Sequence, residues 1–200
     1  KTKSLDQNGD NEVHQDEEWE QELLDKAEST EFRAAAARLN FLSQASPELQ
    51  FPAKEISQEM ATPKIGAWKR VERVSRFLLG REAVIWECPW QDEGYDTETY
   101  AGSDWGGRRG SRKSTSGGCV MIGRHCIKTW ATTQGAVALS SAEAEFYAMI
   151  EATIRAKGLL STMEEMGYPA SGVIKLYTES SAAKSFVSRG GMGKMRHLEI

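Results

Sequence analysis

Apolar and polar positions along this chain follow two different periods, and the change falls near Gly80. From residue 30 to residue 79 the apolar positions recur every three to four residues, which predicts helices. Thr30 is placed to cap the first helix, Pro47 opens a second, and Pro63 introduces a third. The third helix carries one apolar stripe that must pack against a core, and its members are Trp68, Val71, Val74 and Leu78.

Beyond residue 80 the apolar positions alternate, which predicts β-strands joined by turns. The predicted strands are Ala83 to Cys88, Thr97 to Ser103, the segment GGCVMIG, the segment RHCIKTW, and Val173 to Thr178. Gly123 and Arg124 form the predicted hairpin turn between the two middle segments.

Two helices accompany these strands, over residues 140 to about 158 and 181 to 187. The order of elements predicts an α/β fold, in which a mixed sheet has flanking helices. Three of its strands are antiparallel, and a fourth is parallel to the first. A helical segment precedes this sheet along the chain.

The stretch SSAEAEFYAM begins the longer of these two helices. Ser140 and Glu143 have the spacing of a capping box, which predicts the start of the helix. Glu145 then lies on the face that carries Met149 and Ala152, toward the protein interior. Burying a carboxylate is costly unless it is paired, and a divalent metal is one reason to keep it. The alternative is a glutamate at the edge of the stripe that points into water.

Charge is distributed unevenly along the 200 residues. The net charge is −4, but residues 1–30 hold ten acidic residues against three lysines, a balance of −7, so the other 170 residues carry +3. This composition predicts an acidic, disordered linker over residues 1–29, followed by a helical segment over 30–80 and an α/β domain over 81–200. The positive excess therefore lies in the part that folds.

Three cysteines, Cys88, Cys119 and Cys126, form an odd set without paired spacing. This indicates a reducing, intracellular environment and no disulfide partner. Cys119 and Cys126 are predicted on neighbouring strands of a hairpin, and a zinc site that includes His125 is the alternative. Since the sequence has neither a membrane-length apolar run nor a signal-peptide pattern, it predicts an intracellular protein that is not secreted.

Two further carboxylates are predicted at strand ends. Glu179 follows the strand VIKLYT, and Asp104 ends the strand that begins near Thr97. Carboxylates at one edge of a sheet could join Glu145 in a two-metal site for phosphodiester chemistry. The alternative for Glu179 is a part in the cap of the following helix.

The loop GGRRGSRKSTSGG is the candidate nucleic-acid-binding segment. Its cationic and hydroxyl side chains can follow a phosphate backbone, and the candidates are Arg108, Arg109, Arg112, Lys113 and Ser114. A solvated basic hairpin without a partner is the alternative.

Several stretches, in this order, resemble the ribonuclease H domain of copia-type retrotransposon polyproteins: YAGSDWGG with RKSTSGG, VALSSAEAEFYA, LYTESSAA and MRHLEI. Residues 32–80, with SPELQF and WKRVERVSRFLLG, are similar to the end of the reverse transcriptase that precedes that domain. The resemblance implies a ribonuclease H-like fold, incomplete at its C-terminal end. The paired-aspartate motif of the polymerase is absent from this sequence.

The resemblance also implies a mechanism, in which two Mg²⁺ (or Mn²⁺) ions on four carboxylates cut the RNA strand of an RNA–DNA hybrid. Glu145 matches the helix glutamate of the family. Gly102 stands where the family has its first metal-binding aspartate, and Asp104 matches the second aspartate of that motif. Glu179 stands where the third acid is usually aspartate, and the fourth would lie beyond Ile200.

These departures imply impaired metal binding and a degenerate copy with weak nuclease activity or none. His197 and Glu199 match a segment before the family's fifth strand, where packing or capping is the expected role. The partners that the resemblance implies are an RNA–DNA hybrid or other nucleic acid and the remainder of the polyprotein. Two alternatives stay open: a non-catalytic nucleic-acid-binding module, and an unselected relic.

Overall fold

The computed structural model describes residues 20–81, 83–92, 96–108, 110–168 and 172–189. Most of the acidic leader, Arg109, His197 and Glu199 lie outside the described residues, so the predictions for them stay predictions. The chain divides into two compact units between Ile85 and Trp86.

Over residues 21–85, the first unit has three described helices: α1 (Lys26–Leu42), α2 (Pro47–Ser57) and α3 (Ile65–Leu79). The second and third confirm the predicted helices, including the proline at the start of α2 and the end of α3 at Gly80. A single core joins the three helices, and its buried members are Phe32, Ala36, Leu39, Leu49, Ala53, Ile56, Ala67, Val71 and Val74. Trp68 and Leu78 pack at its margin, so the predicted stripe on α3 is a core face.

The start of α1 differs from the prediction, which placed the cap at Thr30. Asp25 caps this helix with Glu28 in a complete capping box: Asp25 Oδ1 accepts from Glu28 N at 2.8 Å, and Glu28 Oε2 accepts from Asp25 N at 3.1 Å. Thr30 lies inside the helix, where its hydroxyl donates to Lys26 O at 2.9 Å. The helix therefore begins where Asp25 and Glu28 form the capping box, and not at Thr30.

In the part of the second unit that the structure describes, a mixed sheet is accompanied by two helices. In chain order its elements are β1 (Thr97–Asp104), β2 (Thr115–Ile122), β3 (His125–Thr133), α4 (Ser141–Glu165), β4 (Ile174–Tyr177) and α5 (Ser181–Arg189). The spatial order is β3-β2-β1-β4, with β1 antiparallel to β2 and parallel to β4. The predicted fold class and the turn at Gly123 and Arg124 are therefore confirmed.

Helix α4 packs on one face of the sheet and extends further than predicted. Its core contacts with the sheet are formed by Ala101, Val120, Trp130, Ala148, Ala152 and Ala156. The helix continues beyond Gly158 to Glu165, because Gly158 is exposed and a single helical glycine costs only about 1 kcal/mol. Gly167, with a φ of +81°, follows the cap residue Met166 and supplies the left-handed conformation that ends the helix.

The predicted strand from Ala83 to Cys88 is wrong, because this segment has no regular structure. Val84, Ile85 and Trp86 expose 40%, 83% and 45% of their surface instead of packing in a core. Alternation of apolar residues can predict a strand only when a neighbouring strand pairs with it, and among the described residues none does. Within the same described ranges, no helix is long and apolar enough to cross a membrane.

Candidate active site and basic loop

The first turn of α4 is fixed by two residues whose spacing was visible in the sequence. Ser140 Oγ accepts from Glu143 N at 3.2 Å, as the predicted cap requires. The buried carboxylate of Glu143 accepts from Leu139 N at 2.7 Å and from the Tyr147 hydroxyl at 2.9 Å. Because the glutamate reaches Leu139 rather than Ser140, the capping box is only half formed. The first turn of the helix, directly before Glu145, is nevertheless fixed by the hydrogen bonds of Ser140 and Glu143.

Glu145 lies against the sheet, as predicted from its place on the inner face of the helix. Its Oε1 accepts from the backbone N–H of Ser103 in β1 at 3.1 Å. Its Oε2 is buried and has no hydrogen-bond partner. The alternative of a carboxylate that points into water therefore does not describe this side chain. One of its two oxygens is a buried acceptor that receives no hydrogen bond.

The topology brings Gly102 and Glu179 toward the same end of the sheet. Ser103, which contacts Glu145, directly follows Gly102, and a Cβ added at Gly102 would meet no atom within 4 Å. Tyr177 pairs with Tyr100 across β4 and β1, so Glu179 and Gly102 each lie two residues beyond a paired position. The exposed Glu179 does not cap α5, because Ser180 Oγ accepts from Ala183 N at 3.1 Å in that role.

The Asp104 side chain is hydrogen-bonded at the end of the neighbouring loop. Its Oδ1 accepts from the backbone N–H of Thr115 at the start of β2. A Cβ added at Gly107 would lie 2.1 Å from its Oδ2, so a side chain at that position would require the Asp104 carboxylate to shift. These contacts give Asp104 a structural role in closing the loop between β1 and β2.

The described acids do not form a complete metal site. Among the described residues, no group of three or more His, Cys, Asp or Glu side chains has the arrangement to hold a metal ion. Glu145 offers one unpartnered oxygen, Asp104 is already hydrogen-bonded, and Gly102 has no side chain. This donor set does not fit the pair of ions that the resemblance implies, since two ions need several shared carboxylates.

Cys119 and Cys126 lie where the sequence predicted them, whereas Cys88 lies in the segment without regular structure. Cys119 in β2 and Cys126 in β3 are on neighbouring strands, and all three cysteines are free thiols. Partial burial raises the pKa of both thiols, and the neighbouring Cys126 raises the pKa of Cys119 further. At a given pH this leaves less of the thiolate that binds metals or reacts.

Hydrogen bonds within the basic loop between β1 and β2 fix its backbone. Ser114 is fully buried, and its Oγ accepts from Gly106 N at 3.0 Å, so its hydroxyl offers no surface to a nucleic acid. Arg112 N donates to Arg108 O at 2.7 Å, and Arg108 N donates to Lys113 O at 3.3 Å. Arg112 is exposed and adopts a φ of +55°, whereas Arg108 and Lys113 are half-buried. The loop thus presents cationic side chains from a defined backbone.

Sequence reasoning missed two polar groups beside the site. Ser103 binds Glu145 through its backbone, which no sequence pattern can indicate. Gln134 is buried, and its Nε2 donates to Ser116 Oγ at 3.0 Å and to Ala144 O at 2.8 Å, tying the sheet to α4. Its position just after the segment RHCIKTW gave no sign of this contact.

An aromatic pair on β1 and β4 was also not foreseen. Tyr100 and Tyr177 stack with their ring centroids 4.9 Å apart, and both hydroxyls donate to Glu98, at 3.0 Å and 3.3 Å. The hydrogen bond to Glu98 raises the pKa of Tyr100. Period-two alternation in β1 places Glu98 and Tyr100 on one face, but the partner strand was needed to see the cluster.

Comparison with known proteins gives relatives of two kinds. The chain is 26% identical over 174 residues to the Retrovirus-related Pol polyprotein from transposon RE2 of Arabidopsis thaliana, and 23% identical over 174 residues to that from transposon RE1. Each match covers 86% of this chain but only 12% of the polyprotein. The chain is also 32% identical over 107 residues to the Secreted RxLR effector protein 161 of Plasmopara viticola, covering 54% of this chain and 75% of that protein. No family model and no solved structure matches the chain.

Proposed function

The chain belongs to the same family as the Plasmopara viticola protein, of which it covers three quarters, and we propose that it is a ribonuclease H-like module of a copia-type Pol polyprotein with a degenerate nuclease site. Its ancestral reaction would be hydrolysis of the RNA strand in RNA–DNA hybrids. The remainder of a polyprotein and an intracellular location belong to the same proposal.

One contact carries the proposal. Glu145, on the first turns of α4, accepts a hydrogen bond from Ser103 at the end of β1, beside Gly102. A helix glutamate against the end of the central strand is the geometry expected of a carboxylate inherited from a nuclease. Its unpartnered Oε2 supports a role other than stability, because an unmet buried acceptor costs about 1–3 kcal/mol.

The residues around this contact account for the expected loss of activity. Glu145 could bind a divalent ion through one oxygen, but Gly102 contributes no carboxylate. Asp104 already accepts a hydrogen bond from the Thr115 N–H. A divalent ion would supply the activated water and neutralise charge on the phosphate, and it needs more ligands than these. Recognition of the hybrid itself would depend on shape and on backbone charge.

The experiment is a cleavage assay on an RNA–DNA hybrid in Mg²⁺ and in Mn²⁺, with the chain and its Glu145→Gln variant. We expect little or no cleavage by either protein. Turnover by the parent chain that Glu145→Gln abolishes would establish an active enzyme and refute the degenerate site.

A restoring variant tests the same site in the opposite direction. Gly102→Asp adds a carboxylate where the added Cβ meets no atom within 4 Å. We expect its Mn²⁺ affinity to rise at least about tenfold, since even outer-shell partners of a metal change affinity by that amount. Gly135→Asp is the matched control, because its Cβ also meets nothing within 4 Å but lies after β3. Equal Mn²⁺ affinity in the two variants would show that Gly102 does not border a metal site.

The exposed Arg112 favours a second candidate function, a nucleic-acid-binding module without catalysis. In that case the hybrid binds without turnover, and the affinity falls as salt rises. Arg112→Ala should reduce the salt slope by about one, whereas Arg124→Ala, at the β2–β3 turn, should leave it unchanged. Absence of both binding and cleavage would leave an unselected relic.

A further inference from the structure

A histidine and a glutamine attach the segment before β1 to the β2–β3 hairpin. His125 Nε2 lies 2.6 Å from the carbonyl oxygen of Pro89, and His125 Nδ1 lies 3.1 Å from Gln91 Nε2. Gln91 Nε2 also donates to Ile122 O at 2.9 Å, and Gln91 Oε1 accepts from Arg124 N at 2.9 Å. Two side chains thus make four polar contacts across this attachment.

The backbone partners fix the orientation of both side chains. The amide oxygen of Gln91 must face the Arg124 N–H, and its amide nitrogen must face the Ile122 carbonyl, so the amide cannot flip without losing both bonds. Nδ1 of His125 therefore faces an N–H group and must accept. Nε2 faces a carbonyl oxygen and must donate. Only the neutral ring with its proton on Nε2 satisfies every partner.

We propose that this attachment is a pH-sensitive clasp, closed while His125 is neutral and weakened when the ring takes up a proton. The added proton would sit on Nδ1, directly opposite the N–H of Gln91, and two donors cannot share one hydrogen bond. Protonation of the His125 ring therefore weakens the attachment of residues 89–91, and histidine is the side chain most commonly used as a pH-dependent switch.

Within the described residues, few charged side chains flank the contact. The charged or titratable residues that flank it in the chain are Cys88 and Asp92 on the segment, and Arg124 and Cys126 on the hairpin. From β2, the neighbouring residues Met121 and Ile122 do not titrate. Gln91, an uncharged amide, is the side chain that meets Nδ1, and among the described residues no carboxylate is a hydrogen-bond partner of the ring.

The first measurement is the protection factor of the Arg124 amide, followed by hydrogen exchange between pH 8 and pH 5. This N–H donates to Gln91 Oε1 and reports directly on the clasp, and the protection factor corrects for the intrinsic pH dependence of exchange. We expect protection to fall about fivefold, the effect of losing roughly one hydrogen bond. Constant protection across this range would overturn the proposal.

Gln91→Glu supplies a second, independent test. In this variant a carboxylate faces Nδ1, so it repels the lone pair of the neutral ring and accepts from the protonated one. The pH dependence of Arg124 protection should therefore reverse, and protection should rise as the pH falls. A double variant, His14→Asn with His197→Asn, is the control and should retain the wild-type profile. The same profile in Gln91→Glu as in the parent chain would contradict the clasp, whatever the outcome of the cleavage assay.

Discussion

The two units of this chain differ in what they bury. Among the described residues, the helical unit buries two polar side chains, Ser29 and Ser43, beside an apolar core. The sheet unit buries seven: Thr97, Thr99, Ser114, Thr115, Ser116, Gln134 and Glu143. Polar burial costs free energy unless every group is paired, so the sheet unit depends more on internal hydrogen bonds than the helical unit does.

Incomplete pairing occurs in both units but is more frequent in the sheet unit. Ser57 Oγ is buried without a hydrogen-bond partner in the helical unit, and in the sheet unit the same holds for Thr99 Oγ1, Ser103 Oγ, Trp130 Nε1, Gln134 Oε1 and Glu145 Oε2. Two of these atoms belong to Ser103 and Glu145, the residues joined by the contact that supports the proposed function. In enzymes, sites that hold unmet acceptors often trade stability for function.

The comparison predicts that the largest loss of stability comes from the apolar core of the helical unit. Phe32 is fully buried and lies 6.4 Å from Trp68 between ring centroids. Phe32→Ala should lower the free energy of unfolding of this unit by about 3–5 kcal/mol, because it removes a large side chain and leaves a cavity. Urea unfolding monitored by circular dichroism would measure it. Phe51→Ala, at a half-exposed position, should change it by less than about 1 kcal/mol.

In the sheet unit, the expected loss of stability comes from a steric overlap at Gly118 rather than from a cavity. A Cβ on Gly118 would lie 2.3 Å from Tyr100 O and 2.4 Å from the Trp130 ring. Gly118→Ala should therefore cost about 1–3 kcal/mol, because backbone and indole must both move. Gly102→Ala meets no atom within 4 Å and should change stability by less than about 0.5 kcal/mol. Equal melting temperatures for the two variants would show that Trp130 does not pack as described.

Much of the fold could be predicted because its signals are local. Pro47 begins α2 through its fixed φ, Gly80 ends α3 through its low helix propensity, and Gly123, with a φ of +57°, forms the turn between β2 and β3. The cap at Asp25 is equally local, because an aspartate followed three residues later by a glutamate is itself the signal of a capping box. The strand predicted over residues 83–88 failed because a strand also needs a partner, which no local pattern supplies.

The candidate site was only partly predictable for the same reason. The helical period placed Glu145 on the inner face of α4, and the structure bears this out. The roles of Asp104 and Ser114 depend on contacts that close the loop, with Thr115 N and Gly106 N, between residues 8 to 11 positions apart. A sequence shows that such side chains can bind a metal or a phosphate, but not that the backbone has already engaged them.

Apart from the control variants, the smallest predicted change in stability is that of Glu145→Gln, and it is best compared with the change at Glu143, two residues earlier on α4. Both oxygens of Glu143 accept hydrogen bonds, from Leu139 N and the Tyr147 hydroxyl, so Glu143→Gln replaces one acceptor with a donor and should cost about 1–3 kcal/mol. Glu145→Gln keeps one acceptor for Ser103 N and removes a buried, unpartnered charged oxygen, so stability should stay the same or rise by up to about 1 kcal/mol. Chemical denaturation of the two single variants measures the difference at matched charge. If Glu145→Gln destabilised the unit as much as Glu143→Gln, Glu145 would be a structural residue, and the argument that it was retained from a nuclease would lose its support.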